Sequence, residues 1–210
     1  MGAQKVLLPI GGGTVADAGK GAGADEGAGP DRGTTAGRTV IERIARELAR
    51  SAIDRILVVV GHEAERVEEA LRMSVGREVT LVRNPDPDGD MLSSVRCGLR
   101  ALPGGCEAVL VALGDQPRIS AETIDALIDA YGAHRKGIVV PAHRGKRGHP
   151  VLFAASYSTE ILERYDGTGL RGLLAAHPED VLELEVPDPS VLCDMDSPED
   201  YRREREASEG

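Results

Sequence analysis

Two uninterrupted apolar runs constrain this chain more than anything else in it: Ile56-Leu57-Val58-Val59-Val60 and Ala108-Val109-Leu110-Val111-Ala112-Leu113. Runs this short, rich in β-branched residues and lacking polar alternation, predict strands covered on both faces, as in a parallel sheet. The intervening segments carry the other period. Val40, Ile41, Ile44, Leu48 and Ile53 recur at helical spacing with charges between them. The alternation continues along the chain. A helix is predicted over Ala64 to Leu71, a strand over Val79 to Val82, and a helix over Ser93 to Leu102, stopped by Pro103-Gly104-Gly105. Ser120 to Ala133 reads as a helix capped by Ser120, and Gly137 to Val140 as a strand ending at Pro141. After Pro150 come a short strand, two short helices around Ile161 and Leu173, a strand at Val181 to Val186, and a terminal helix opening at Ser197-Pro198. Such alternation specifies an α/β class with a mostly parallel sheet.

One segment breaks the rhythm. Residues Gly11 to Gly37 are dominated by Gly, Ala, Asp and Thr, without apolar periodicity, and read as a flexible linker. Its glycines do not make a nucleotide loop. Gly13 to Lys20 has one residue too many for a P-loop, Gly21 follows the lysine, and no strand is predicted before it.

Ligands of such sheets bind at the carboxyl ends of the strands. Three polar turns follow predicted strands: Gly61-His62, Asn84-Pro85 and Gly114-Asp115-Gln116-Pro117. Asp115 could be a turn-forming Asp or a carboxylate for a hard cation such as magnesium. In Asp194-Met195-Asp196-Ser197-Pro198-Glu199-Asp200, Ser197 and Pro198 suit a helix start, which leaves Asp196 unexplained: a solvated acidic turn or a second ligand. Lys5 reads as a solvated lysine, and Gly145-Lys146-Arg147-Gly148-His149-Pro150 as a basic turn that is either plain surface or an anion contact.

Composition removes whole classes of function. A net charge of -10 over 210 residues argues against nucleic-acid binding and means that any phosphate ligand needs a cation and a few placed basic groups. Only 2% of residues are aromatic, so base recognition by stacked rings is not expected. Three dispersed cysteines, no signal peptide and no membrane-length apolar run lead to the expectation of a cytoplasmic protein without a membrane partner.

In order and spacing these segments resemble the MobA-like nucleotidyltransferase family, and within it the molybdenum cofactor cytidylyltransferases. The resemblance rests on Lys5-Val6-Leu7-Leu8-Pro9, Val58-Val59-Val60-Gly61-His62, Asn84-Pro85 with Met91 to Leu99, Leu113-Gly114-Asp115-Gln116-Pro117, Gly145 to Phe153, and Asp194 to Asp200. It implies a three-layer Rossmann-like fold occupying residues 1–203 as one domain, with a Gly-rich insert at 11–37 and a charged tail at 204–210. It implies transfer of CMP from CTP to the terminal phosphate of a molybdopterin-type acceptor, with release of pyrophosphate and a Mg2+ requirement. Asp115 and Asp196 would be the metal ligands, and Lys5 would neutralise the triphosphate and act with Asp115 in catalysis. Asn84, Ser93, Ser94 and Gly114 would help hold the nucleotide, and Arg147 and His149 would face the acceptor. An apo-enzyme of the xanthine dehydrogenase family is an implied partner. The family also begins with a strand and a Leu-Ala-Ala-Gly-x-Ser-x-Arg phosphate loop, and Met1-Gly2 falls where that loop would be finishing. The domain is therefore read as lacking the family's first strand and phosphate loop, its start being either an internal Met, the favoured reading, or that of a degenerate member that has lost catalysis. The alternatives are a non-catalytic chaperone for the molybdenum cofactor, or a relative using GTP or another acceptor.

Overall fold

A computed structural model describes residues 5–11, 40–61, 64–74, 79–86, 88–116 and 118–193, with side chains omitted for 5–11 and 72–74. His62, Pro117, Asp196, the terminal helix from Ser197, the 204–210 tail and nearly all of the Gly-rich segment lie outside these residues.

The strands are β1 (Lys5–Gly11), β2 (Ile56–Val60), β3 (Val79–Arg83), β4 (Cys106–Leu113), β5 (Ile138–His143), β6 (Lys146–Arg147), β7 (Val151–Ala154) and β8 (Val181–Glu185). They form one sheet in the order β3-β2-β1-β4-β7-β5-β6, with β8 on the free side of β5. The helices are α1 (Val40–Arg50), α2 (Ala64–Ser74), α3 (Met91–Arg100), α4 (Ala121–Ala133), α5 (Ser158–Glu163) and α6 (Leu170–Ala176).

Strand periodicity divides the core in two. Val58, Val60, Leu110, Val139 and Leu152 face α1, α2 and α4 through Ile44, Leu48, Val67, Ile124 and Leu127. The alternate residues Leu57, Val59, Val109, Val111, Val140 and Phe153 face α3, α5 and α6 through Leu92, Val95, Leu99, Ile161 and Leu173. Both sheet faces are therefore covered, which is why β2 and the inner part of β4 show no polar alternation. The expected three layers are present.

The expectation of a mostly parallel sheet holds only in part. Among the described residues β2–β3 and β5–β8 pair in parallel, while the other five pairings are antiparallel. The cause is interleaving. Strands β2, β3, β4, β5 and β8 all run the same way, but β1 lies between β2 and β4, and β7 between β4 and β5, each running backwards. Strand β1 was not anticipated, because Val6 to Ile10 gives no sign of its partners. It also means that a strand does precede the Gly-rich segment, although the spacing and the missing Ser or Thr still exclude a P-loop.

Boundaries shifted where a local hydrogen bond overrode propensity. Helix α3 begins two residues earlier than predicted, because the Asp90 carboxylate accepts from Ser93 N–H at 2.9 Å and caps it. Strand β5 runs on through Pro141, whose carbonyl accepts from Gly148 N–H at 2.8 Å, so the ring costs that strand only a donor. Ser120 caps α4 as expected, accepting from Thr123 N–H at 3.2 Å.

Candidate functional site

Register alone gathers most of the expected site residues on one sheet edge. Val60 pairs with Arg83, so Gly61 and Asn84 leave their strands side by side, and Asn84 N–H still donates to the Val60 carbonyl at 2.9 Å. Lys5 pairs with both Val59 and Leu113. Because β1 runs backwards, its first residue is at the carboxyl edge of β2 and β4. Two residues past that row stand Gly61 on one side and Asp115 on the other. Strand β7 is also reversed, with Val111 opposite Val151, so the Arg147-Gly148-His149-Pro150 turn precedes β7 at this same edge beside β4. At about 4.8 Å per strand, the three steps from β3 to β4 separate Asn84 from Asp115 by roughly 14 Å of edge. This is the scale of an extended nucleoside triphosphate.

At the β3 end, the buried Asn84 side chain donates to Ser93 Oγ at 3.0 Å and Ser94 Oγ at 3.1 Å, and accepts from Asp86 N–H at 3.0 Å. The expected trio Asn84, Ser93 and Ser94 is thus one hydrogen-bonded unit at the start of α3. Ser93 Oγ in turn donates to the Asp90 carbonyl at 2.9 Å.

At the β4 end, Gly114 and Asp115 form the turn that leaves the strand. Asp115 Oδ1 is buried and has no hydrogen-bond partner among the described residues; it is the one carboxylate oxygen among the three buried side-chain atoms in that condition. A bare carboxylate oxygen out of contact with water is costly unless something electropositive meets it, so this atom fits a hard cation. No group of three or more potential ligands occurs among the described residues. Asp196, the other expected ligand, lies outside them, and of Lys5 only the backbone position is described.

The basic turn is held from two sides. Gly148 N–H donates to Pro141 O, and His149 N–H to Val191 O at 2.9 Å. A Cβ on Gly148 would stand 2.1 Å from that Val191 oxygen. Arg147 and His149 do line a common cleft of about 650 Å³, with Asp90 to Leu92 of α3 and Gly167 to Arg171 opposite. Its size is that of a small-molecule site. Yet Arg147 is not free: its Nε and Nη2 both donate to Glu183 Oε1, at 2.8 and 2.6 Å.

The far wall was not found from the sequence. Arg96, on α3, donates to the carbonyls of Ile161 at 2.9 Å and Arg164 at 2.8 Å, and to Asp166 at 2.6 Å. The Arg96 guanidinium holds the Asp166 carboxyl below the usual carboxylate range. Behind this wall Tyr165 donates to Glu160 at 2.5 Å and His177 Nε2 lies 3.0 Å from the same carboxylate; both contacts lower the Glu160 pKa. Burial, reinforced by that bond, pushes the Tyr165 phenol up to about 12. Burial raises the Asp180 pKa, but the bonds from Tyr157 and Gly137 N–H outweigh it and the net shift is downward. Gly169, at φ 59° and ψ -151°, adopts a conformation open essentially only to glycine, and it turns the chain into α6. Gly167-Thr168-Gly169 was the only signal of this wall in the sequence, and nothing there tied it to Arg147.

Comparisons with known proteins bear on the family and the fold. Residues 34–181 match the family model described as the MobA-like NTP transferase domain. The molybdenum cofactor cytidylyltransferase of Escherichia coli is 26% identical over 147 residues, 70% of this chain and 72% of that protein. The bifunctional protein GlmU of Mycobacterium ulcerans is 37% identical over 60% of this chain, which spans only 26% of that longer protein. Among solved structures, a nucleotidyl transferase from Methanothermobacter is 30% identical with a TM-score of 0.67, covering 82% of this chain and 81% of that one. The Mycobacterium tuberculosis protein Rv0371c is 25% identical, also with a TM-score of 0.67, over 84% of this chain and 86% of its own. A second structure of that protein, 24% identical with a TM-score of 0.62 and covering 84% of this chain and 93% of that one, is a complex with manganese.

Proposed function

The chain belongs to the MobA-like NTP transferase family and is a nucleotidyltransferase, and from that premise we propose that it moves CMP from CTP to the terminal phosphate of a molybdopterin. The observation that carries the reading is the bare, buried Oδ1 of Asp115, on the sheet edge that also holds the Asn84 unit and borders the basic turn.

Asp115, with Asp196, would hold a magnesium ion. When bound, the ion neutralises phosphate charge and polarises the α-phosphoryl group. The Asn84-Ser93-Ser94 unit holds the nucleoside end, and Lys5, whose backbone heads the same edge, supplies a cation to the triphosphate. Arg147 and His149 border the acceptor cleft. An acceptor phosphate oxygen attacks the α-phosphorus, a new P–O bond forms, the α–β bridging P–O bond breaks, and pyrophosphate leaves. The second pKa of a phosphate monoester is about 6, so the nucleophile is already ionised at neutral pH and needs no dedicated base. The protein's contribution is positioning and charge neutralisation.

Residues 1–203 act as one domain in this reading, since β1 and β8 belong to the same sheet. A cytoplasmic setting is supported by three free cysteines, and among the described residues no helix is long and apolar enough to cross a membrane. Hand-over of the product to an apo-dehydrogenase completes the proposal. The GlmU matches favour a second reading, the same transfer to another acceptor. The test is magnesium-dependent pyrophosphate release from CTP with molybdopterin, lost in Asp115→Ala. Full activity of that variant refutes the role of Asp115, while competition by GTP and transfer to other phosphorylated acceptors decide between the readings.

A further inference from the structure

We propose that Arg171, rather than Arg147, is the cation that grips the anionic group of the acceptor. The inference rests on the acceptor reading of the cleft and assigns a binding residue that sequence motifs did not suggest. The two arginines face one cavity, but their partners differ. Arg147 is committed, with two of its nitrogens on one Glu183 oxygen. Two of its donors are thereby occupied before any ligand arrives, and a ligand must displace that carboxylate to use them. Arg171 also lines the cavity, is exposed, and meets no acidic partner among the described residues. An unpaired guanidinium needs no bond broken to bind a phosphate and presents a fork that matches its oxygens.

Its placement is built. Gly169 supplies the backbone reversal immediately before α6. Leu170 and Leu173 anchor α6 in the core, while Arg171 lies between them on the exposed side. The turn preceding the helix is tied to α3 by Arg96, which bonds the carbonyls of Ile161 and Arg164 and the carboxylate of Asp166. Helix α3 also carries Ser93 and Ser94 at its start. One helix therefore sets the distance between the nucleotide unit and the acceptor cation. Leu92, Val151, Leu170 and Leu174 give the cleft an apolar wall. The acceptor class is accordingly an organic phosphomonoester with a compact, largely uncharged body.

The experiment compares wild type, Arg171→Ala, Arg171→Lys and, as a charge-matched control remote from the cleft, Arg135→Ala. KM for molybdopterin and for CTP is measured, and molybdopterin binding is followed by calorimetry without CTP. Loss of a charge-assisted hydrogen bond predicts that Arg171→Ala raises the acceptor KM and Kd about tenfold or more, with KM for CTP unchanged. Arg171→Lys recovers part of the loss, and Arg135→Ala matches wild type. Unchanged acceptor KM and Kd in Arg171→Ala overturn the proposal, as does a rise in KM for CTP alone. If wild type binds molybdopterin but transfers no CMP to it, the transferase reading fails, and a lost affinity in Arg171→Ala still upholds the binding role. A wild type that does not bind molybdopterin overturns both.

Discussion

Replacing Gly148 by Ala isolates the contact that fixes the basic turn. The backbone at this position is not in the left-handed region, so alanine meets no conformational penalty there. By itself the change would stabilise the protein by about 0.4–1 kcal/mol through the unfolded chain. Packing reverses the sign. The new Cβ would stand 2.1 Å from Val191 O and 2.7 Å from Val191 C, both backbone atoms of the one-turn helix Pro189–Leu192. Relief requires a displacement of about 1 Å in a region packed to crystal-like density. Val191 is fully buried, and its carbonyl holds His149 N–H while Gly148 N–H holds Pro141 O. Overpacking costs about 1–3 kcal/mol, and each strained hydrogen bond adds about 0.5–1.5 kcal/mol. The net destabilisation is about 1–5 kcal/mol, which for a chain of this length lowers Tm by roughly 2–20 °C. Thermal melting followed by circular dichroism measures it, with the acceptor KM rising in parallel because Arg147 and His149 flank the displaced residue. A Tm at or above that of wild type would refute the steric argument.

Asp115→Ala should abolish metal-dependent turnover yet leave Tm unchanged or raised, since it removes a buried carboxylate oxygen that has no partner among the described residues; a large drop in Tm on melting would show that the oxygen is satisfied in solution. Asn84→Ala should cost about 1–3 kcal/mol in denaturant unfolding, because Ser93 and Ser94 lose a shared donor, and should raise KM for CTP more than KM for the acceptor. The Tyr165 phenol, raised to about 12 in the fold, contributes stability that is complete below its ordinary value of about 10 and is lost as pH rises toward the folded one. With no Trp in the chain, tyrosinate absorbance follows this directly, and Tyr165→Phe should remove one phenol's share of the delayed absorbance, Tyr131 and Tyr157 being raised as well. At the acid end, Glu160 and Asp166 have lowered pKa values, so their stabilisation is present above the ordinary carboxylate range and lost as pH falls through the folded values; equilibrium unfolding across that window measures it.

Much of this protein was legible without coordinates, for local reasons. Hydrophobic period is a property of neighbouring residues, so Val58 to Val60, Ala108 to Leu113 and the α1 stripe announced their elements and the α/β class. The carboxyl ends of those strands pointed to Asn84, Gly114 and Asp115, and the order of the motifs pointed to the family. Tertiary structure decided what depends on partners distant in sequence. The reversed strands β1 and β7 turned a sheet of largely common direction into one of mostly antiparallel pairings. Glu183, 36 residues from Arg147, took up the donors of the arginine that the motif had singled out. Arg96 reached 65 to 70 residues along the chain to set the wall carrying Arg171. Period and propensity act over a few residues, whereas strand direction and the pairing of a charge are set only when segments far apart in sequence meet.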